Sequence, residues 1–265
     1  MQIPEDKWYE AIFQRRSRRQ FNGKPLAFEE VAYLADFAEE LNRNVGGARA
    51  VIVNKSPENV LKGAIGSYGK IKGAPAYVAF IGNMEDPHVQ EKVGYIGECF
   101  ILEATSMGLA TCWVGGFFRP EIVSKQIAIS QDEQILAVSP FGYASEQYSL
   151  EEKFMSGFAS GHKRKDVEAL CLERYKTEWP DWVRSALELA RLAPSAVNRQ
   201  PWRFSVETDA IKISVDSVKD SYHISKCLDC GIAMVHIEVG ARHKGVRGRW
   251  DYLLQPDVAI FKAER

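Results

Sequence analysis

The sequence predicts an α+β fold in which two similar repeats, each a mixed sheet covered by helices, pack together as an internal pseudo-dimer. Of its 265 residues, 46% are hydrophobic and 26% are charged, so the chain can bury a sizeable core. Two long segments carry apolar residues at three- and four-residue steps, as amphipathic helices do. Each segment ends in the pattern Gly-x-x-x-x-Trp, at Gly108–Trp113 and again about 137 positions later at Gly245–Trp250.

The first repeat begins with a predicted helix over Glu29–Leu41, which is followed by a β-rich run at Ala50–Val53. The apolar run Ala76–Gly82 predicts a second strand. Asp86–Pro87 then predicts the start of the long helix, because an aspartate cap and a proline in the first turn are typical of helix N-termini. A further strand is predicted over Leu136–Ser139.

The second repeat follows the same order of elements. A helix is predicted over Asp181–Ala193, and strands are predicted over Arg203–Val206 and Ile211–Val215. The second long helix carries its apolar positions over Ile224–Val239, and a last strand is predicted over Val258–Lys262. Any α+β chain contains helices that look alike, but the shared Gly-x-x-x-x-Trp end favours a duplication.

Composition divides the chain into residues 1–150 as the first repeat, 151–178 as a connecting segment and 179–265 as a second, shorter repeat. The connecting segment is rich in lysine and glutamate and contains a flexible patch at Gly157–Gly161. A charged helix is predicted within it over Asp166–Tyr175. The two repeats would then pack against each other inside one chain.

Composition also argues against several classes of function. With 34 basic and 35 acidic side chains, the net charge of -1 disfavours a globally basic nucleic-acid-binding protein. The sequence has neither a secretory signal nor a stretch of about 18 apolar residues, so a cytoplasmic protein without a membrane-spanning helix is expected. Five scattered cysteines favour reduced core thiols, and Cys227 and Cys230 continue into an apolar helical pattern. The histidines form no metal-binding motif, so no metal site is expected.

Three local clusters differ from ordinary surface. The run Arg15–Arg19, with Ser17 inside it, offers guanidinium groups and a hydroxyl, a combination suited to a phosphate dianion. The loop Ala193–Trp202 holds serine, asparagine and glutamine between two rigidifying prolines, and His162–Lys165 is a second basic run. The alternatives are a solvated basic face or a short nucleic-acid patch for the basic runs, and a plain helix-ending connection for the loop.

Together with the segment Thr111–Phe117, these motifs resemble the FMN-dependent nitroreductase family, and more narrowly its duplicated single-chain branch. Ordinary members are homodimers that bind FMN at the subunit interface with residues from both subunits. The resemblance implies that the basic run of the first repeat and the proline-flanked loop of the second meet on one flavin. The first repeat has Glu39–Gly47 in place of that loop, and the second has the isolated Arg174 in place of the basic run. A monomer with one FMN per chain is therefore expected.

At the phosphate end of FMN, the resemblance implies basic and hydroxyl side chains from the first repeat and the connecting segment. The residues implied to hold the phosphate and the ribityl tail are Arg15, Ser17 and Arg19. Arg16 would lie near the tail or the pyrimidine edge, and Arg164 with Lys163 would close the phosphate site.

At the ring end, the resemblance implies residues from both repeats. Those implied to line the dimethylbenzene side and the ribityl chain are Pro194, Ser195 and Asn198. Gly115 and Gly116 would let the backbone pass close to flavin N5. Lys70 would lie near flavin O2, where a cation stabilises the negative charge of reduced flavin; its plainer alternative is a solvated turn lysine.

The activity that the resemblance implies is hydride transfer from NAD(P)H through flavin N5 to a nitroaromatic, quinone or similar small planar acceptor, by a ping-pong mechanism. No GxGxxG motif follows a strand, so NAD(P)H would stack on the flavin rather than occupy a dinucleotide-binding fold. The flavin would carry the chemistry, and no protein side chain is expected to act as a catalytic acid or base. The alternative is a non-catalytic FMN-binding protein, a carrier or sensor, that kept the fold.

Overall fold

The computed structural model describes residues 3–61, 71–146, 163–221 and 223–264. The α-helices in these ranges are α1 (Glu5–Gln14), α2 (Phe28–Asn44), α3 (Glu58–Leu61), α4 (Val89–Ser106), α5 (Pro120–Val123), α6 (Val167–Leu170), α7 (Asp181–Ala190) and α8 (Lys226–His243). A short 3₁₀ helix spans Ala196–Asn198. The strands are β1 (Ala48–Val53), β2 (Ala76–Asn83), β3 (Ala110–Thr111), β4 (Glu133–Gly142), β5 (Trp202–Glu207), β6 (Ala210–Val215), β7 (Gly248–Tyr252) and β8 (Asp257–Ala263).

The strands form two four-stranded sheets with the same strand order, β1-β2-β4-β3 in the first repeat and β5-β6-β8-β7 in the second. This repetition confirms the prediction of two similar sheet-and-helix units. The sheets were expected to combine parallel and antiparallel strands, but every ladder between these strands is antiparallel. One reason is local: two residues join β5 to β6, a connection that suits antiparallel strands and is too short for parallel ones. Parallel pairing does occur at isolated bridges such as Ser17 with Thr111.

The two long helices, α4 and α8, contain 18 residues each and correspond at a constant offset of 137 positions. After a single capping residue, each is followed by a glycine in the left-handed region, Gly108 with φ 81° and Gly245 with φ 77°. Glycine lets the chain reverse there without the strain that a Cβ would cause. The repeated Gly-x-x-x-x-Trp pattern thus marks the same helix end in both repeats.

The helices α4 and α8 pack directly on one another, and two glycines allow their close approach. A Cβ at Gly94 would lie 2.0 Å from the carbonyl oxygen of Leu228, and one at Gly231 would lie 2.0 Å from that of Glu91. The two glycines are related by the same offset of 137 positions, so each helix contributes the equivalent surface. Reciprocal contact of this kind is characteristic of two-fold packing. The predicted internal pseudo-dimer is therefore confirmed.

Three predicted helix boundaries are wrong by three residues. Helix α2 runs to Asn44, beyond the predicted end at Leu41. Helix α4 begins at Val89 rather than at Asp86–Pro87, because Asp86 Oδ1 accepts a hydrogen bond of 2.9 Å from the backbone N–H of His88 and so forms a turn before the helix. Helix α7 ends at Ala190 rather than at Ala193. The apolar periodicity continues past the last full turn, but Pro194 prevents the chain from continuing the helix.

The connecting segment also differs from its prediction. The helix predicted over Asp166–Tyr175 is confined to the four residues of α6, because the chain becomes extended at Cys171 and pairs there with Phe204 of β5. The patch Gly157–Gly161 lies outside the described residues, and the proposed domain boundaries stay a prediction.

Most buried side chains belong to one core that extends through α4 and α8 into both repeats. All five cysteines are free and four of them are buried. Burial raises the pKa of Cys227 to about 11, which makes this thiol a packing group rather than a nucleophile. Within the described ranges, no three His, Cys, Asp or Glu side chains are placed to hold a metal ion. No helix in these ranges is long and apolar enough to cross a membrane.

Candidate functional site

Arg15, the first residue after α1, is a buried arginine whose donors are incompletely used. Arg15 as a whole is 7% exposed, and its Nε has no hydrogen-bond partner among the described residues. Burial lowers the pKa of Arg15; the negative charge of Glu98 opposes this effect and the positive charge of Arg16 adds to it. Because buried donors in native proteins are nearly always bonded, the unused Nε makes Arg15 a candidate for contact with an anion.

The run that follows Arg15 is extended and is held on both sides by backbone contacts. The exposed Ser17 forms a bridge with Thr111 of β3. On the other side, the backbone N–H of Lys72 donates to the carbonyl oxygen of Arg19 at 3.0 Å. The backbone of this run is therefore fixed to the first sheet, which sets the direction of its side chains.

The loop between α7 and β5 is held in a strained conformation. Val197, Asn198 and Gln200 have φ values of 48°, 57° and 48°, in a region that costs residues other than glycine of order 1–3 kcal/mol each. Ser195 stabilises the loop, because its Oγ accepts a hydrogen bond of 2.9 Å from the backbone N–H of Gln200. Pro194 is buried at the start of the loop. Strain of this kind persists where the surroundings over-determine the backbone, as they do at functional sites.

A buried ion pair fixes this loop to the start of α8. The Nε of Arg199 donates to Asp229 Oδ2 at 2.6 Å, and Asp229 Oδ1 accepts from the backbone N–H of Ala196 at 3.0 Å. The remaining guanidinium donors bond to oxygen atoms of Ser221, Ile224 and Ser225. Burial raises the pKa of Asp229 to about 6, although the charge of Arg199 opposes that shift. No sequence motif predicts this pair, and its only local signal is an acidic residue in the first turn of a helix.

Arg164 joins the two predicted motifs. Its Nη1 donates to Asn198 Oδ1 at 2.6 Å, and its Nε and Nη2 both donate to the carbonyl oxygen of Leu192 at 3.3 Å. Its pKa is lowered to about 10, chiefly by burial and then by nearby positive charges, with Glu98 again opposing. Those positive charges belong to Arg15, Arg16 and Arg191. Arg15, Arg16, Arg164 and Arg191 are called the cationic cluster below.

The other predicted site residues lie around this cluster to different extents. The carbonyl oxygen of Lys163 accepts from Asn198 Nδ2 at 2.9 Å, while the residue itself is exposed. A Cβ at Gly115 would lie 3.3 Å from Ile224 Cδ1, so this segment of the first repeat contacts the second. Gly116 is exposed. Lys70 lies outside the described residues, as does His162.

The position related to the loop by the pseudo-two-fold axis, called the mirror position, is built differently. Helix α2 continues to Asn44, and three residues connect it to β1. At Gly47, an added Cβ would lie 2.1 Å from a carboxylate oxygen of Asp86, which is paired with Lys92 at 2.5 Å. Lys92 is the counterpart of Asp229 at the offset of 137, so the charge that anchors the loop is reversed here. The loop and its anchor thus belong to the second repeat.

Comparison with protein families identifies the fold and the family. The family model described as "Putative TM nitroreductase" matches residues 7–241. The chain belongs to this family. A structure described as a putative nitroreductase from Thermotoga maritima has 21% sequence identity and a TM-score of 0.63, with 96% of this chain and 93% of that chain covered. That likeness confirms the nitroreductase-like fold expected from the sequence.

Two further solved structures match about half of this chain. One is a nitroreductase with bound FMN from Desulfitobacterium hafniense, at 19% identity and a TM-score of 0.45, covering 54% of this chain and 91% of that one. The other is described as a putative NADH dehydrogenase/NAD(P)H nitroreductase from Bacteroides thetaiotaomicron, at 20% identity and a TM-score of 0.45, covering 54% and 89%. No curated protein gives a significant match.

Proposed function

We propose that this nitroreductase-family protein binds one FMN per chain and transfers hydride from NAD(P)H to a nitroaromatic, quinone or similar small planar acceptor. The observation that supports this most is the cationic cluster. It brings Arg15 and Arg16 of the first repeat to Arg164, which is bonded to Asn198 in the strained loop of the second. A flavin site at an internal dimer interface requires residues from both repeats in this way.

The described residues fit the phosphate of FMN. A phosphomonoester carries about -1.5 to -2 charges at neutral pH, and Arg15 has a buried Nε without a partner in the described ranges. Burial lowers the pKa of Arg15 and of Arg164, and neighbouring positive charges add to it, Arg16 for Arg15 and chiefly Arg15 for Arg164. An anion between these two guanidinium groups would relieve the repulsion and form charge-assisted hydrogen bonds, each worth about 1.5–3 kcal/mol.

Each residue is assigned the part that the family pattern implies, and Lys70, which lies outside the described residues, is assigned on that pattern alone. Residues proposed for the phosphate end are Arg15, Arg16, Ser17, Arg19, Lys163 and Arg164. Residues proposed for the ring and ribityl chain are Lys70, Gly115, Gly116, Pro194, Ser195 and Asn198. Bound FMN would supply the redox chemistry, by accepting a hydride at N5 from NAD(P)H and passing it to the acceptor. The chain's own residues bind and orient the cofactor, and no catalytic side chain is assigned.

The proposal of one FMN per chain rests on the mirror position. There the short connection after α2 leaves no room for a counterpart of the strained loop, and Asp86 lies against Gly47. The arginine nearest in sequence to the missing basic run, Arg174, is a single exposed residue. Because the repeats already form the interface that family homodimers use, we propose that the chain is a monomer.

The experiment is to saturate the purified protein with FMN, remove the excess by desalting, and measure bound flavin per chain by visible absorbance. We expect a ratio close to one. Arg15→Ala should weaken FMN binding about 10- to 100-fold, the equivalent of one charge-assisted hydrogen bond. Arg174→Ala is the matched control, since it removes an exposed arginine that stands in the second repeat in place of the basic run, and it should leave the affinity unchanged.

The outcomes separate the parts of the proposal. A ratio near two would contradict a single site, and no retained flavin would contradict the oxidoreductase assignment. Loaded protein is then mixed with NADH or NADPH and a nitroaromatic or quinone, and cofactor oxidation is followed at its near-ultraviolet absorbance. Flavin bound at a ratio of one without turnover would instead favour the non-catalytic FMN-binding alternative.

A further inference from the structure

Glu98 of α4 and His236 of α8 form a buried polar pair at the centre of the molecule. Both residues are 0% exposed, and His236 Nε2 lies 3.0 Å from Glu98 Oε1. His236 Nδ1 lies 3.0 Å from the carbonyl oxygen of Leu189, and the indole Nε1 of Trp113 donates to Glu98 Oε2 at 2.8 Å. A carbonyl oxygen only accepts, so His236 Nδ1 donates the hydrogen of the bond to Leu189.

The residues related to this pair by the pseudo-two-fold axis show that helix packing does not require it. At the offset of 137 positions, Val235 corresponds to Glu98 and Cys99 corresponds to His236. Both counterparts are also 0% exposed, so the same place in the core is filled there by apolar side chains. Burying a polar or charged pair costs desolvation that apolar residues avoid. The other side also has a buried carboxylate, Glu238, but that group is paired with Arg242. Among the described residues, a glutamate paired with a fully buried histidine occurs on one side alone, and this difference points to a role other than packing.

The polar pair lies on the same side as the cationic cluster. Glu98 is a carboxylate whose charge acts on both Arg15 and Arg164. Through Trp113 the pair holds the start of the segment that leads to Gly115. Through Leu189 it holds the last turn of α7, next to Leu192, whose carbonyl oxygen Arg164 contacts. The Glu98–His236 pair thus connects segments of both repeats that adjoin the cationic cluster.

We propose that Glu98 and His236 are positioning residues for the phosphate end of the site, an inference that rests on the proposed FMN function. The carboxylate keeps Arg15 and Arg164 together before the anion arrives, because its negative charge offsets their repulsion. The hydrogen bonds to Trp113 and Leu189 hold the contributing segments of both repeats in place. Neither residue is assigned a contact with the cofactor.

The test compares FMN with riboflavin, which lacks the phosphate. Glu98→Gln keeps the size of the side chain and an oxygen that can accept from Trp113, but it removes the charge. We expect FMN affinity to fall about tenfold, because Arg15 and Arg164 lose the charge that offsets their repulsion, and riboflavin affinity to change by less than about twofold. Glu98→Val combined with His236→Cys installs the residues of the mirror position and should weaken FMN further.

The matched control is Glu238→Gln. Glu238 accepts a hydrogen bond of 3.2 Å from the indole of Trp250, as Glu98 does from Trp113, but it lies on the mirror side. This variant should leave the ratio of FMN to riboflavin affinity unchanged. Equal losses for FMN and riboflavin in Glu98→Gln would indicate a merely structural role and overturn the proposal. Tighter FMN binding would overturn it too, because the carboxylate would then be a competitor of the phosphate.

A second measurement on the wild-type apoprotein does not depend on any variant folding. Inorganic phosphate is titrated into ¹⁵N-labelled protein, and the indole resonance of Trp113 and the ring resonances of His236 are followed. Both should shift with a single phosphate affinity. Shifts without any flavin binding would support the pair while contradicting the proposed function. Phosphate binding that leaves these resonances unchanged, or the binding of neither phosphate nor flavin, would overturn the proposal.

Discussion

Replacing Gly94 with alanine tests whether the close approach of α4 and α8 holds the two repeats together. The added Cβ would lie 2.0 Å from the carbonyl oxygen of Leu228, against 3.4 Å for the shortest ordinary contact, so the helices must separate by about 1.4 Å. Overpacking costs up to about 3 kcal/mol, while alanine gains about 1 kcal/mol over glycine in a helix. The free energy of unfolding should therefore fall by about 2 kcal/mol. Binding of FMN should weaken as well, because the cationic cluster draws residues from both repeats.

Urea denaturation measures this free energy. Gly231→Ala should give a similar loss because the contact is reciprocal, and the double variant should lose less than the sum because one alanine already separates the helices. Gly46→Ala is the control: no atom lies within 4 Å of its added Cβ, so the change should stay within about 0.5 kcal/mol. If Gly94→Ala were as stable as wild type, the explanation of the pseudo-dimer by this crossing would be wrong.

Two other predictions concern ion pairs. Arg199→Ala leaves the side chain of Asp229, which is 2% exposed, buried without its cation. The free energy of unfolding measured by thermal denaturation should therefore fall by about 3–5 kcal/mol, and a flavin titration should show weaker binding. A fall of less than about 1 kcal/mol would contradict the anchoring role. The hydrogen bonds from Arg49 lower the pKa of Glu133 from 4.5 to about 2. A carboxyl with a lowered pKa stabilises the fold above its ordinary pKa and loses that contribution as the pH falls towards 2. The difference in unfolding free energy between wild type and Glu133→Gln should accordingly be full at pH 6 and vanish near pH 2, and a constant difference would refute it.

The regular elements were predictable because their signals are local. Apolar periodicity predicted both long helices, and the glycines at 108 and 245 predicted where they end. The pairing direction of the strands was not predictable in this way, since a β-rich run does not show which neighbour it joins. Helix α6 was predicted too long because a charged, helix-favouring composition extends through Cys171, where pairing with Phe204 prevails.

The candidate site was predictable to the extent that motifs carry it. Arg15, Arg164 and Asn198 were singled out by the family pattern, and the structure places Arg164 in contact with Asn198 and in the electrostatic reach of Arg15. Glu98 and His236 were not singled out. Each is one polar residue within an apolar helix, and the partner that explains it is 138 positions away. No local pattern distinguishes such a residue from an ordinary helical position.

The asymmetry between the repeats has a physical basis in their connections. Three residues lead from α2 to β1, whereas eleven lead from α7 to β5. The longer connection contains three residues in the left-handed region, at a cost of order 1–3 kcal/mol each, and it depends on the buried pair of Arg199 and Asp229. A symmetric homodimer would incur this strain at both of its interface sites. A chain that contains both repeats incurs it once, and its first repeat can keep the complete helix α2, whose packing helps to offset the strain in the second.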